Sequence, residues 1–434
     1  MLELRKQHPE PRQQLQRSSV QRLFRTVVLI IAVAAPLVPR AEAPDELRRD
    51  FDAAWRAASD RYAYFDAKAT SWADIPSLYA ADLRQVSTRN GLMALLEHVL
   101  DELYDPHAQL NANLANSPRL VPSGTDLWAE WRQGEAVITD VRADSDAQKA
   151  GIRPNDIVVD LDDTPIAQAV EARLGRSYLH SVAEARDWAL RAVLAGRHDV
   201  RRVLRVRQGE AIRTVELGAR DQYGARNAEP LGHSRIAPGI GYVRFNDSLG
   251  NAATIQAFDH AVDDLGDTRG LIIDLRDTPS GGNSVVARGI LGRFVTRDLP
   301  YQRHVLPSEE RETGIRRSWL ELVSPRGTPY RRPVAVLVGH WTGSMGEGLA
   351  IGFDAIGSGT VVGTVMAGLL GATDHIVLPH TGIGLNLPTE RLYHVDGTPR
   401  EAFRPRVLVD VTQPTSHADP FVAAALGVLA KRVE

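Results

Sequence analysis

Two segments rich in glycine and serine follow predicted buried strands and hold the residue types that acyl transfer needs. One reads DLRDTPSGG over residues 274–282, and the other reads GHWTGSMGE over residues 339–347. A serine where a strand turns into a helix exposes its hydroxyl beside free backbone N–H groups, which suits a nucleophile and an oxyanion hole. Ser344 has this position. The predicted oxyanion donors are the backbone N–H groups of Gly281, Gly282 and Met345.

Each of these features has a plainer interpretation when it is taken alone. Serine is a preferred N-cap residue, so Ser344 by itself would more often be a helix cap than a nucleophile. A pair of glycines by itself indicates no more than a loop. The assignment of a site at this edge of the predicted sheet therefore depends on further motifs.

Together the two segments resemble the tail-specific, or C-terminal processing, protease family. In that family a strand ending in Asp-Leu-Arg, followed by a Gly-Gly pair, precedes a strand that leads to Ser-x-x-Glu, and SMGE at 344–347 fits the second motif. The resemblance extends over the C-terminal half of the chain, through VVGT at 361–364, LPT at 387–389, DG at 396–397 and RPRV at 404–407. It implies a serine peptidase that hydrolyses peptide bonds through an acyl-enzyme and needs no cofactor.

The general base differs between branches of this family, which use either a Ser/Lys dyad or a tricorn-like Ser/His arrangement. Lysine occurs only at positions 6, 68, 149 and 431, and residues 366–371 (MAGLLG), where the family's lysine would fall, contain none. The resemblance to the Ser/His branch implies His107, at the end of LYDPH (103–107), as the base. An imidazole with a pKa of about 6.5 can exchange protons near neutral pH. Tricorn-like members have a serine before this histidine, and here Pro106 takes its place.

Three carboxylates are candidates for supporting the pair. Glu401 follows the Asp-Gly turn at 396–397 and occupies the place of the glutamate that completes the charge network in the Ser/His branch. Its alternative is a solvated loop carboxylate. Asp105 or a water could orient the imidazole in place of the missing serine. Glu347 lies three residues after Ser344 on the same helix face, where it could bond to the backbone or face solvent.

A multidomain α+β organisation is predicted to position these residues. Apolar residues at three and four spacing indicate helices in the N-terminal region, short runs with turn residues indicate a β module, and strands alternating with helices indicate an α/β core with a largely parallel sheet. The predicted divisions are a signal peptide at 1–43, a helical region at 44–118, a β module at 119–220 and a catalytic core at 230–434.

The predicted β module resembles the middle of a PDZ domain. VRADSDA at 141–147 is followed by AGIRPNDIV at 150–158, and Gly151 would supply the left-handed residue that often ends a helix. The resemblance implies recognition of a peptide C-terminus by strand addition. Asp126 lies in the nearest candidate for a carboxylate-binding loop and would repel a carboxylate there.

The N-terminus has the pattern of a signal peptide. Basic residues precede an apolar run at 27–38, and small residues at 41–43 offer a cleavage site. The run has about 12 residues, whereas a spanning helix needs roughly 20. The sequence thus predicts an exported protein, periplasmic or extracellular, with a membrane tether as the alternative if the segment is not cleaved.

Composition and motifs limit the other functions. A net charge of −3 provides no basic field for nucleic acid, and the absence of cysteine excludes disulfides and thiolate metal sites. His375, His380 and Asp374 lack the spacing of the common zinc motif, so no metal is predicted.

The predicted partner is a peptide or an unfolded protein, and the sequence does not predict the oligomeric state. An esterase, or an inactive fold retained as a PDZ scaffold, is the alternative; Thr342 interrupts the Gly-x-Ser-x-Gly pattern that an esterase of the α/β-hydrolase type would have.

Overall fold

The computed structural model describes residues 44–219, 229–412 and 419–433, and the predicted signal peptide lies outside them. The first described region is helical. Its helices α1 and α4 pack against each other through Leu47, Phe51, Leu92 and Leu96. Its helices are α1 (Pro44–Arg61), α2 (Ile75–Leu78), α3 (Ala80–Leu83) and α4 (Arg89–Asp101), with 3-10 turns at Phe65–Ala67 and Trp72–Asp74. None of the helices in the described ranges is both long and apolar enough to cross a bilayer.

The next elements, after a short strand β1 (Gln109–Leu110), form an antiparallel β module. They are β2 (Leu127–Arg132), β3 (Glu135–Val141), α5 (Asp146–Lys149), β4 (Ile157–Leu161), β5 (Thr164–Pro165), α6 (Ile166–Arg173), α7 (Ala183–Ala195), β6 (Arg202–Gln208) and β7 (Ala211–Leu217). The strand order is β2-β3-β4-β6-β7, and β5 pairs with β4. Gly151 has φ 77° after α5, so it is the predicted left-handed residue.

The C-terminal half alternates strands and helices, which gives the chain the mixed α/β fold that the sequence predicts. Its elements are β8 (Leu231–Ala237), β9 (Ile240–Phe245), α8 (Ala253–Asp264), β10 (Gly270–Asp274), α9 (Ser284–Leu291), β11 (Leu299–Leu306), α10 (Pro307–Thr313), β12 (Arg317–Val323), β13 (Val334–Val338), α11 (Met345–Ala355), β14 (Gly359–Gly363), β15 (Ala372–Val377), β16 (Gly384–Tyr393), β17 (Val407–Leu408) and α12 (Pro420–Val433). A 3-10 turn covers Arg400–Ala402.

One sheet of this half has the strand order β17-β14-β13-β10-β9-β8 and is parallel except for β8. Leu271 and Ile273 lie in the core with α8, α9 and α11, whereas Ile272 and Leu337 lie in the core with α12. Because both faces are covered, the central strands are continuous apolar runs. The carboxyl ends of β10 and β13 lie side by side, so the loops that follow them meet.

A second sheet has the order β1-β16-β11-β12, with β15 beside β16. Gln109 and Leu110 of β1 pair with Asn386 and Leu385 of β16. This pairing fixes the end of the N-terminal helical region against the C-terminal half. His107, two residues before β1, is thereby held beside elements that come more than 250 residues later in the chain.

The β module packs against the loop that follows β13. The indole Nε1–H of Trp341 donates to the Thr125 carbonyl at 2.8 Å. The ring of His340 stacks on Trp128 with centroids 4.7 Å apart and an interplanar angle of 8°. The module therefore shields the first residues of this loop from solvent.

Candidate active site

Ser344 lies at the carboxyl end of the parallel sheet, in the turn between β13 and α11. Its backbone has φ 49° and ψ −112°, whereas an N-cap residue usually has an extended conformation. A non-glycine residue in this region carries strain of about 1–3 kcal/mol, and such strain concentrates at functional sites. The residue is also partly exposed. Ser344 also forms a capping box with Glu347 at the start of α11, so it does cap the helix, and the strained backbone is the feature that a cap alone does not require.

Hydrogen bonds between the two loops hold this strained turn. Thr342 Oγ1 donates to the Leu275 carbonyl at 2.9 Å, and the Gly343 N–H donates to the Thr278 carbonyl at 3.2 Å. The Thr278 N–H in turn donates to the Trp341 carbonyl at 3.1 Å. The loop that carries the glycine pair is thereby fixed against the loop that carries the serine.

Gly281 is in direct contact with Ser344. Its φ is 67°, and a Cβ at this position would lie 2.4 Å from Ser344 Cβ and 2.9 Å from the Met345 nitrogen. The N–H of Gly281 donates to the carbonyl three residues earlier, whereas Met345 is the first residue of α11 and its N–H has no acceptor within the helix. Gly282 packs against the Leu249 carbonyl, 2.1 Å from its Cβ position. Of the predicted oxyanion donors, the N–H of Gly281 is thus already engaged, whereas that of Met345 is not used within its helix.

Replacing Gly281 by alanine is expected to lower hydrolysis at this site by about 100-fold or more, because the methyl group would displace Ser344 or the oxyanion loop. Gly357→Ala is the matched control, since Gly357 has φ 70° with open space around its Cβ position. Both variants have alanine at positive φ, and only in the first does the added methyl group meet Ser344. Steady-state kcat and thermal unfolding of both variants provide the comparison. Equal activity of the two variants would contradict this interpretation.

His107 is buried, with 8% of the residue exposed, and its ring proton has a defined position. Nδ1 lies 2.7 Å from the Leu370 carbonyl oxygen. Because a carbonyl only accepts, Nδ1 carries the hydrogen and Nε2 presents a lone pair. Burial, together with the Arg400 guanidinium, lowers the pKa of His107 to about 4, so the ring is neutral at pH 7. A neutral imidazole with an available Nε2 is the form that a general base requires.

Asp105 contacts the backbone of His107. Its Oδ1 accepts the His107 N–H at 2.9 Å, and its Oδ2 accepts the Tyr62 hydroxyl at 2.8 Å. Burial raises the pKa of this carboxyl, while Lys68 opposes the shift. Asp105 thus fixes the turn that presents the histidine, and the ring itself is oriented by the carbonyl of Leu370.

Glu347 is fully buried, and its carboxylate binds backbone N–H groups. It accepts from Ser344 at 2.8 Å, from Gly368 at 2.9 Å and from Leu369 at 3.2 Å. Burial raises its pKa to about 7 against the opposing charge of Arg400. Of the two alternatives that the sequence left open, bonding to backbone is the one observed.

Arg400 is a residue of this site that the sequence did not indicate. It is 1% exposed and donates to the carbonyls of Leu369 at 2.9 Å and Gly371 at 2.8 Å. Its guanidinium also lies 3.9 Å from the Glu347 carboxylate. The only signal in the sequence was its place directly before Glu401. Nothing in the sequence could indicate the role of the Leu370 carbonyl, because every residue has a backbone carbonyl.

The site is only partly joined by hydrogen bonds. Within the described ranges, none connects Ser344 to the His107 ring, and none connects that ring to Glu401. The Oε2 atom of Glu401 is buried without a hydrogen-bond partner among these residues, and burial raises the pKa of the carboxyl. The role of Glu401 in the charge network therefore stays a prediction. Hydrogen bonds do form one continuous path. The Ser344 N–H donates to the Glu347 carboxylate, that carboxylate binds the loop at 366–371, and the loop binds the ring of His107.

A cleft of about 840 Å³ opens beside the glycine pair, between the β module and the β8 edge of the parallel sheet. This volume lies within the range that ligand pockets occupy. Pro279 and Ser280 line it next to the glycines, and Asp247 anchors Ser280 by accepting its N–H at 3.0 Å and its hydroxyl at 2.6 Å. Across residues 44–219, 229–412 and 419–433, no cluster of three or more histidine, aspartate or glutamate side chains could hold a metal ion.

Comparison with known proteins matches this chain to two families and to several solved structures. The sequence model of peptidase family S41 matches residues 239–410, and that of the tricorn protease C1 domain matches residues 36–101. The photosystem II D1 C-terminal processing protease is 19% identical with a TM-score of 0.53, over 88% of this chain and 97% of its own. Mature CPAF is 15% identical with a TM-score of 0.56, over 90% of this chain and 96% of its own. At these identities the structures share the fold.

Proposed function

We propose that this chain, whose residues 239–410 match the sequence model of peptidase family S41, is a serine peptidase of the Ser/His type that cleaves peptide bonds through an acyl-enzyme. The observation that carries the proposal is the strained backbone of Ser344, at the start of α11 and in contact with Gly281. A plain helix cap needs neither the strain nor the contact. The neutral state and the Nδ1–H tautomer of His107 support its role as the base.

In the first half of the reaction, Ser344 Oγ forms a bond to the carbonyl carbon of the substrate while its proton moves to Nε2 of His107. The carbonyl electron pair moves onto the oxygen, which the N–H of Met345 stabilises with those of Gly281 or Gly282. When the C–N bond breaks, the leaving amine takes the proton from Nε2. The acyl group stays on Ser344 as an ester.

In the second half, water replaces the amine. It gives a proton to Nε2 as its oxygen bonds to the acyl carbon, and the serine oxygen regains the proton when the ester C–O bond breaks. Glu401 supports the charge network in this proposal. Ser344 and His107 are not hydrogen-bonded in the free chain, and the proposal includes the formation of this bond on substrate binding, as is common for catalytic hydrogen bonds.

The cleft beside Ser280 is the proposed binding place for an unfolded protein or a peptide. We further propose that the β module at 119–220 is PDZ-like and recognises substrate C-termini, and that the chain acts outside the cytoplasm after export. Trp341 lies in the loop that carries Ser344, and its indole N–H donates to Thr125 of the module. This bond supports a link between the module and the site. No cofactor or nucleic acid takes part in this scheme.

A fluorophosphonate probe tests the nucleophile directly. It is expected to label wild-type protein once, at Ser344 as identified by mass spectrometry, because a strained serine beside oxyanion donors reacts faster than a surface serine. Turnover of an unstructured peptide is expected as well as turnover of an activated ester, which has the better leaving group and is the easier substrate for any acyl-enzyme mechanism. Labelling at another residue would reject Ser344. Labelling at Ser344 with only ester turnover would instead indicate an esterase, and no labelling with retained peptide binding would indicate a scaffold.

A further inference from the structure

The loop at residues 366–371, between β14 and β15, is held by two buried charged side chains from different elements. Glu347 of α11 accepts the N–H groups of Gly368 and Leu369. Arg400 donates to the carbonyls of Leu369 and Gly371. The carbonyls immediately before and after that of Leu370 are therefore held, and the Leu370 carbonyl between them accepts Nδ1–H of His107.

The two charged side chains also compensate each other. Arg400 is 1% exposed and Glu347 is fully buried, and they lie 3.9 Å apart. Buried charges are costly unless partners and hydrogen bonds satisfy them, and here most of those partners are the backbone of the one loop. The loop cannot turn its carbonyls away without leaving a buried charge unsatisfied. The pair therefore gives the loop a single conformation.

We propose that Arg400 and Glu347 are positioning residues, which set the tautomer and direction of the His107 ring through the Leu370 carbonyl. Since Glu347 also accepts the N–H of Ser344, the same network ties the backbone of the nucleophile to the orientation of the base. This inference deepens the proposed function and rests on it only for the effect on rate. The effect on the His107 ring holds whether or not the chain is a peptidase.

The test replaces Arg400 by methionine, which keeps much of the side-chain volume and cannot donate to the two carbonyls. Arg293→Met is the matched control: Arg293 is 4% exposed, donates to the Thr328 carbonyl, and pairs with carboxylates of α8. Thr328 precedes β13, so this arginine lies at the opposite end of the sheet from the site. Nitrogen-15 NMR of labelled histidine reports the tautomer of His107, and steady-state kinetics on a peptide reports kcat and KM.

The Nδ1–H tautomer is expected to dominate in wild type and in Arg293→Met. In Arg400→Met it should give way to a mixture of tautomers, with kcat about 10- to 100-fold lower and KM changed by less than about twofold, as expected when outer groups orient a functional imidazole. Arg400→Lys, which can still donate to a carbonyl, should recover part of both signals. An unchanged His107 spectrum in Arg400→Met, or the same change in Arg293→Met, would overturn the proposal.

Two further outcomes separate this proposal from the function. If Arg400→Met does not fold, Arg400→Gln serves instead, because the glutamine side chain is shorter and uncharged and cannot place its amide where the Arg400 guanidinium lies; a His107 signal identical to wild type in folded Arg400→Gln would overturn the proposal. If Ser344→Ala hydrolyses peptides as wild type does, the proposed function fails. The NMR measurement on Arg400→Met would still decide whether the charged pair positions His107.

Discussion

Ser344→Ala is expected to lower kcat for peptide hydrolysis by about 10⁴- to 10⁶-fold, because removal of the nucleophile leaves only binding and the oxyanion donors. KM should change little, since the substitution removes a single hydroxyl group. The measurement is single-turnover and steady-state kinetics on an unstructured peptide, with probe labelling as a second readout. Activity within about tenfold of wild type would reject the assignment of Ser344.

A glycine at the same position separates catalysis from strain. Alanine retains the unfavourable φ of 49°, whereas glycine adopts positive φ readily. Ser344→Gly should therefore be as inactive as Ser344→Ala and should unfold at a higher urea concentration. The stability difference should be about 1 kcal/mol, although glycine's greater freedom in the unfolded chain opposes part of the gain. If glycine were the less stable variant, the strain at Ser344 would be in doubt.

Local patterns in the sequence were sufficient to predict that the segment with Ser344 and the segment with the glycine pair lie next to each other. Apolar runs matching β10 and β13, each followed by glycines, predicted adjacent loops at the carboxyl edge of a sheet, and Ser344 and Gly281 are in contact there. Such predictions work because strand and turn preferences act over a few residues. The alternation of strands and helices in the C-terminal half was predicted for the same reason.

The surroundings of the base could not be predicted in this way. Leu370 is 263 residues from His107 in sequence, and the bond between them uses a backbone carbonyl that no residue type encodes. Burial of the ring depends on the pairing of β1 with β16, which is a tertiary event. The sequence therefore named His107 by family resemblance and left open what orients it.

Residue types alone also left open how two buried carboxylates are compensated. Asp126 was expected to repel a carboxylate in the β module, but it is buried and accepts two hydrogen bonds of 3.0 Å from Arg202. Its charge is thus balanced within the module. Similarly, Glu347 could have faced solvent, and instead lies in the centre of the site. A carboxylate's role depends on the partner that the fold brings to it, and that partner comes from a distant segment.

His107→Gln is expected to lower kcat by about 10²- to 10⁴-fold, which is the range for loss of a general base. The amide of glutamine can still donate toward the Leu370 carbonyl, so the loop should keep its contact while the site loses its proton acceptor. Fluorophosphonate labelling of Ser344 should slow in parallel. A normal labelling rate together with normal kcat would reject His107 as the base and point to another acceptor.

The same substitution has a pH-dependent effect on stability. In the folded chain His107 has a pKa of about 4, below the usual value of 6.5, so as pH falls below 6.5 the unfolded chain takes up a proton that the folded chain does not. The contribution of the neutral His107 ring to the free energy of unfolding is therefore fully present above pH 6.5. It falls by up to about 3 kcal/mol as the pH drops toward 4. Glu347, with its raised pKa, acts in the opposite direction in wild type and variant alike.

The difference in the free energy of unfolding between wild type and His107→Gln therefore reports the effect of His107 alone. Urea unfolding of wild type and His107→Gln at pH 7.5 and at about pH 4.5 gives the free energy of unfolding of each. We expect the variant to gain stability relative to wild type at the lower pH, because glutamine cannot take up the proton. If the stability difference is the same at both pH values, then the ring is not held neutral by burial. The lowered pKa of His107 would then be rejected, and the kcat of His107→Gln would still decide whether His107 is the base.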